Sequence, residues 1–181
     1  SEQDKPETPE PKPNVGIAFG GANDIWQDAP TTRSGETGLE TLFKSFRVWG
    51  YKNYAATSNS PQVIMDGYRV NFTLSSAGTT ESNTADWEYV GLTHPKHSTT
   101  QTIKYWDYSA LQYRFWAYAP ATAHDVTASK NTDANSHSIT IPYEFNSNAT
   151  LTSTPYISNL CTPKIGEQVK LTFVPLIAKV R

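Results

Sequence analysis

From Asn14 onward the apolar residues recur mostly at every second position, a spacing that suits strands with one buried face and not the 3.6-residue repeat of an amphipathic helix. The clearest stretch is Pro61 to Leu74, PQVIMDGYRVNFTL. Asp66-Gly67 at its centre tolerates the positive φ angles of a type I′ turn, the favoured two-residue hairpin connection. A turn there sets Met65 opposite Tyr68, Val63 opposite Val70 and Pro61 opposite Phe72, all on one face with Leu74. Gln62, Ile64, Arg69 and Asn71 take the other face. Turn chemistry and alternation therefore agree on a hairpin.

The same period marks further strands. Val15, Ile17 and Phe19 alternate with Gly16 and Ala18 in a short first strand. Phe46 and Val48 alternate with Arg47 and Trp49, up to Gly50. Asp86 to Leu92 places Trp87 and Tyr89 on one side. Leu111, Tyr113, Phe115, Ala117 and Ala119 share a face of a longer strand that Pro120 stops. Ser138 to Phe145 and Val169 to Ile177 complete the set, and Pro175, which cannot donate to a ladder, marks an edge or a bulge. Val48, Phe72, Trp87 and Phe115 are each in phase with their strand's apolar set and form the expected core. A short helix is expected over Glu36 to Lys44, where Leu39, Leu42 and Phe43 have helical spacing. Ser75 to Asn83 and Ala128 to Ser136 read as loops. Seven or more short strands with polar turns between them predict a β-sandwich.

Residues 1–13, SEQDKPETPEPKP, have no large apolar side chain to bury and are expected to form an extended tether. Residues 14–181 then form one domain. Its 15 basic residues against 17 acidic ones leave no basic excess for nucleic acid. There is no apolar run of membrane-spanning length.

No residues are arranged for catalysis, and no cofactor or metal is expected. His94 and His97 stand three apart around Pro95 without further ligands. His124 and His137 have Asp125 and Asp133 nearby, in stretches that read as solvated loops. Asp86, Glu88 and Asp107 could supply an acidic pair, but sequence does not give the separation such chemistry needs. Cys161 is the one cysteine and has no activating neighbour, so it reads as a small apolar side chain. Asn71 and Asn148 each begin an N-x-T triplet; Asn71 falls inside the expected hairpin, and both read as chance. The aromatics bear on function more directly. Trp106, Trp116 and Tyr118 lie in a Tyr- and Trp-rich stretch, and on the surface of a sandwich they could form a stacking platform for sugars. The alternative is that such rings fill the core and its rims.

The order of these residues resembles the fimbrillin family of pilins, in the branch called fimbrillin-like or Mfa-like. The likeness rests on FKSFRVWGY (Phe43–Tyr51), VIMDGYRVNFT (Val63–Thr73), ADWEYVG (Ala85–Gly91), IKYWDYSALQYRFWAYAP (Ile103–Pro120) and the closing VKLTFVPLIAKV (Val169–Val180). It departs at Asp107, where the family often has Pro, and at Pro175, where His is common. The resemblance implies a transthyretin-like, Greek-key β-sandwich, with a second such domain beyond Arg181. It also implies an exported lipoprotein of the outer membrane and cell surface, held to the membrane only through a lipid anchor. Its role would be a structural subunit of fimbriae, as shaft, anchor or tip, with no enzymatic activity. Its partners would be other pilin subunits joined by β-strand exchange, and surface ligands or glycans on host or bacterium. In shaft subunits of the family an Arg-directed protease cuts after the first strand. Arg33, in the polar stretch APTTRSGETG, is the candidate for such a cut, with Val15, Ile17 and Phe19 as the candidate removable strand. The alternative is a loop that happens to contain an Arg, as in anchor and tip subunits that are not cut. A surface lipoprotein that binds carbohydrate through Trp106, Trp116 and Tyr118 is the alternative expectation.

Overall fold

β1, Ser45–Asn53, and β4, Gln112–Ala119, are long strands in which nearly every side chain is buried, so they need partners on both edges and cover on both faces. The structure, a computed structural model, describes residues 14–20, 38–53, 61–73, 86–123, 127–130, 137–140 and 154–176. Within these residues the chain is all-β. β2 is Gln62–Phe72, β3 Trp87–Glu88, β5 Thr127–Lys130, β6 His137–Thr140, β7 Tyr156–Ser158 and β8 Phe173–Pro175. Six of them form one antiparallel sheet in the order β3-β2-β1-β4-β7-β8, which puts β1 and β4 at its centre. β5 and β6 form a separate two-stranded ribbon, so β5 takes up Ala128 to Lys130, a stretch read from sequence as loop. Pro175 lies in the outermost strand β8, where a missing N–H costs no ladder bond on the open side.

The expected hairpin at Asp66-Gly67 is absent. β2 runs straight through that dipeptide as one strand and pairs along its length with β1. Gly67 has a φ of 71° and is the extra residue of a bulge between the pairs Val48–Tyr68 and Trp49–Asp66. Asp-Gly is a signal for positive φ, and a bulge uses that backbone as well as a turn does. The long strand β1 offers β2 a full-length partner, which a hairpin folded back on itself would forgo. A second irregularity lies between the pairs Gly50–Met65 and Tyr51–Val63. It carries Val63 to the face opposite Met65, and Val63 is 47% exposed.

Side chains cap the carbonyls that the Gly67 bulge frees. The Asp66 carbonyl accepts from His94 Nε2 at 2.7 Å, and the Gly67 carbonyl accepts from Arg47 Nε at 3.2 Å. At the outer edge of β2, beside the two-residue β3, the buried amide of Gln101 takes the place of a strand. Its Oε1 accepts from the Arg69 N–H, and its Nε2 donates to the carbonyls of Arg69 and Tyr89, each at 2.8 Å. A buried amide satisfied on both sides holds a loop where no regular ladder reaches.

The main core lies against one face of the sheet, formed by Phe46, Val48, Met65, Val70, Trp87, Tyr113 and Phe115 with other buried apolar groups. Phe72 is only partly buried and packs at its border. Extended segments cover this face: residues 14–20, the stretch around 104–106, and Val169, Leu171 and Phe173, whose alternate side chains all point inward. The helix expected over Glu36 to Lys44 is a single 3-10 turn, Leu39–Thr41. One turn is enough to bring Leu39, Leu42 and Phe43 into the core, and the stretch is too short to hold an α-helix by itself. Among the described residues no helix is long and apolar enough to cross a membrane.

Candidate functional site

Residues 15–20 lie between two other stretches of chain. On one side the Ile17 N–H donates to the Lys104 carbonyl at 2.7 Å, and the Trp106 N–H donates to the Val15 carbonyl at 2.9 Å, an antiparallel pairing centred on Gly16 and Tyr105. On the other side the Val169 N–H donates to the Ala18 carbonyl at 2.8 Å, and the Gly20 N–H to the Val169 carbonyl at 3.0 Å, in parallel sense. The segment is thus bonded along both edges. Alternation does the rest: Ile17 and Phe19 are 0% and 1% exposed, while Gly16 and Ala18, which alternate with them, are only partly covered. The Phe19 ring meets those of Phe46, Tyr89 and Phe115 edge-on, with centroids 5.5 to 5.9 Å apart. Such contacts add to the burial of a large apolar surface.

Tyr89 completes the groove. Its hydroxyl donates to the Ile17 carbonyl at 2.6 Å and accepts from the Lys104 N–H at 3.2 Å. In an antiparallel ladder the next rung would join those two backbone groups directly, and the phenol stands in for it. Burial, the largest cause, pushes the Tyr89 hydroxyl well above the usual tyrosine range, so it stays a neutral donor. A small cavity of about 10 Å³ remains where the segment ends, lined by Phe19, Gly20, Leu39, Trp87, Val169 and neighbouring core side chains.

The sequence points to Val15, Ile17 and Phe19 as one strand, and the structure brings them to this groove. Arg33 lies outside the described residues. The proposed sugar platform is corrected: Trp106, Trp116 and Tyr118 are 4%, 1% and 2% exposed, and a buried ring offers no face to a ligand. Trp106 packs edge-on against Tyr113 in the main core. Trp116 and Tyr118 join Trp49 and Tyr51 in a second cluster on the opposite face of the sheet, where Trp116 stacks on Trp49 at 4.4 Å and 9°. Alternation placed Trp116 and Tyr118 away from the main core correctly; it could not tell a second packed layer from open surface.

Three other polar residues singled out from the sequence, His94, Glu88 and Asp107, make local hydrogen bonds or ion pairs. His94 is buried, and its Nδ1 accepts from the N–H groups of Lys96 and His97 while Nε2 holds the Asp66 carbonyl. Glu88 accepts from the N–H groups of Tyr89 and Val90. Asp107 pairs with Lys52 at 3.2 Å and accepts from Ser109. Burial raises the Cys161 thiol above its ordinary range, the reverse of what a nucleophile needs. Among the described residues no three His, Cys, Asp or Glu side chains gather as metal ligands. His124, Asp125, Asp133 and Asn148 lie outside the described residues. The groove also depends on groups that the sequence did not reveal, the Tyr89 hydroxyl and the Gln101 amide. Tyr89 is visible from sequence as a core residue, but the target of a phenol is set by tertiary packing.

No protein-family model, curated protein or solved structure matches this chain.

Proposed function

We propose that the chain is a structural subunit of cell-surface fimbriae, a transthyretin-like Greek-key sandwich exported as a lipoprotein and assembled with other subunits by strand exchange. The observation that carries this reading is the seating of residues 15–20. A strand bonded on both edges, with two large side chains in the core, is an element whose removal leaves a groove ready for another strand. Main-chain bonds then supply affinity, and pockets for alternate side chains supply specificity. The short outer strand β8 fits the same reading, because it gives little purchase for unprogrammed edge pairing, while the outer side of β3 at Trp87 is bridged by Phe19 of the seated segment itself. The resemblance to fimbrillins supplies the biological setting, and Arg33 is the maturation site it implies.

Brief digestion with an Arg-specific protease, followed by mass spectrometry, tests this. The expected first cut follows Arg33, leaving residues from Ser34 onward folded and newly prone to oligomerise. First cleavage at Arg69 or Arg114, or a cut that only unfolds the domain, would remove the exchange role of residues 15–20.

A further inference from the structure

We infer that the groove holding residues 15–20 selects its strand by sequence: an aliphatic residue at position 17, an aromatic residue at 19 and a glycine at 20, anchored through the Tyr89 hydroxyl on the carbonyl of the aliphatic residue. The inference rests on the strand-exchange reading and specifies what can enter. Direction comes first. The neighbour at 104–106 is antiparallel and the one at Val169 is parallel, so only one chain polarity satisfies both edges. The N–H groups at positions 17 and 20 both donate, which bars proline from either. Main-chain rungs alone do not fix register, because a slip of two residues preserves the pairing pattern and the inward face. Side chains and one backbone angle do. The Phe19 site is walled by three aromatic rings in edge contact, and an aliphatic residue there would leave part of the space empty. An aromatic in the fully enclosed Ile17 site would overfill it. Gly20 is buried with a φ of 83° while its N–H reaches the Val169 carbonyl, and that left-handed conformation disfavours any residue with a Cβ. A slipped strand would put another residue at that angle. Tyr89 contributes in a different way, since its hydroxyl reads a carbonyl that every residue has. It holds whichever strand is in register and replaces the missing rung to Lys104.

The test uses the full chain with a specific protease recognition sequence inserted between residues 21 and 37, cut after folding. Displacement of the retained N-terminal piece is followed with a fluorescent peptide of sequence NVGIAFG, residues 14–20. The native peptide should enter. A peptide of the same composition carrying Ile17→Phe and Phe19→Ile should compete at least ten-fold less well, and one carrying Gly20→Ala several-fold less well. In the cut Tyr89→Phe chain, the N-terminal piece should leave about ten-fold faster. If that variant folds poorly, an ester at the Ile17–Ala18 link of the peptide weakens the same carbonyl acceptor on the unaltered groove and should speed release similarly. Equal entry by the rearranged peptide overturns the sequence selection, and unchanged release with both Tyr89→Phe and the ester overturns the anchor; either leaves strand exchange itself standing. Failure of every peptide to enter, the native one included, overturns the strand-exchange reading and the site with it.

Discussion

β1 and β2 are neighbours in one sheet and paired along their length, yet their side chains have different surroundings. In β1 both faces are buried: Phe46 and Val48 point to the main core, and Trp49 and Tyr51 point to the second cluster with Trp116 and Tyr118. In β2 only Met65 and Val70 are large, fully buried side chains, and Gln62, Val63 and Asp66 are exposed. Place in the sheet accounts for the contrast. β1 and β4 are the two central strands, with cover on both faces, whereas β2 stands one strand nearer the edge and carries the bulges that turn its side chains. An aromatic facing away from the main core is therefore not a surface feature when its strand is central. Arg47 fits the same pattern. Its guanidinium lies over the Trp49 ring at 5.7 Å and bonds the Gly67 carbonyl and the Tyr118 hydroxyl, so it packs as part of that second layer.

The sharpest way to break this comparison is to empty one site on each face of β4. Phe115 and Trp116 are consecutive, point to opposite faces, and are 0% and 1% exposed. Phe115→Ala and Trp116→Ala should each cost about 3–5 kcal/mol, the usual range for emptying a buried aromatic site. Urea unfolding of the two variants provides the check. If Trp116→Ala leaves the midpoint close to that of the parent while Phe115→Ala does not, the second face is open surface and the sugar platform returns.

The strands were legible where one period ran unbroken. β1, β4 and the inward set Val169, Leu171 and Phe173 follow from alternation, and the edge position of Pro175 follows from its missing N–H. Alternation identifies β2 as a strand region but not the bulge at its middle, because Asp66-Gly67 reports a backbone angle and not what the chain does next. The pairing of Phe19 with both Trp87 and Val169 was out of reach, since it joins stretches of sequence far apart. For the candidate site, sequence supplied Ile17 and Phe19, while the Tyr89 hydroxyl depends on where the fold brings the Ile17 carbonyl.

Alkaline titration sharpens the same contrast with a smaller effect. Burial is the main cause that pushes the Tyr51 hydroxyl up to about 12; a hydrogen bond with Trp116 opposes it, and the Asp66 carboxylate adds to it. The folded form therefore keeps a proton that the unfolded chain releases near pH 10, so unfolding gains a proton-release advantage as pH rises. The stabilisation is complete below about pH 10 and falls by roughly 1.4 kcal/mol per unit until the folded group itself ionises near 12. Tyr51→Phe should flatten the pH dependence of unfolding by about 2–3 kcal/mol over that interval, relative to the parent. Tyrosinate absorbance followed in parallel would show one fewer late-titrating ring. An unchanged slope would mean that Tyr51 meets water, and with it the second cluster.

The smallest expected effect discriminates most finely, because it tests the register of β2. If Asp66-Gly67 were a hairpin turn, Val63 would share the buried face of Met65 and Val70, and a hydroxyl there would be stranded without a partner. Val63→Thr keeps the shape of the side chain, so burial of that hydroxyl would be the main new term and would cost about 1–3 kcal/mol. In the structure the register shift between Gly50 and Tyr51 turns Val63 to the opposite face, where it is 47% exposed opposite Tyr51. The hydroxyl then meets water, and threonine suits a strand as well as valine does. The expected change is within about 0.5 kcal/mol in either direction. Met65→Thr in the same strand supplies the scale, because Met65 is fully buried opposite Gly50 and its loss empties part of the main core. A large loss at Met65 with almost none at Val63 fixes the bulge at Ile64. Equal losses at the two would restore simple alternation and the hairpin it predicts.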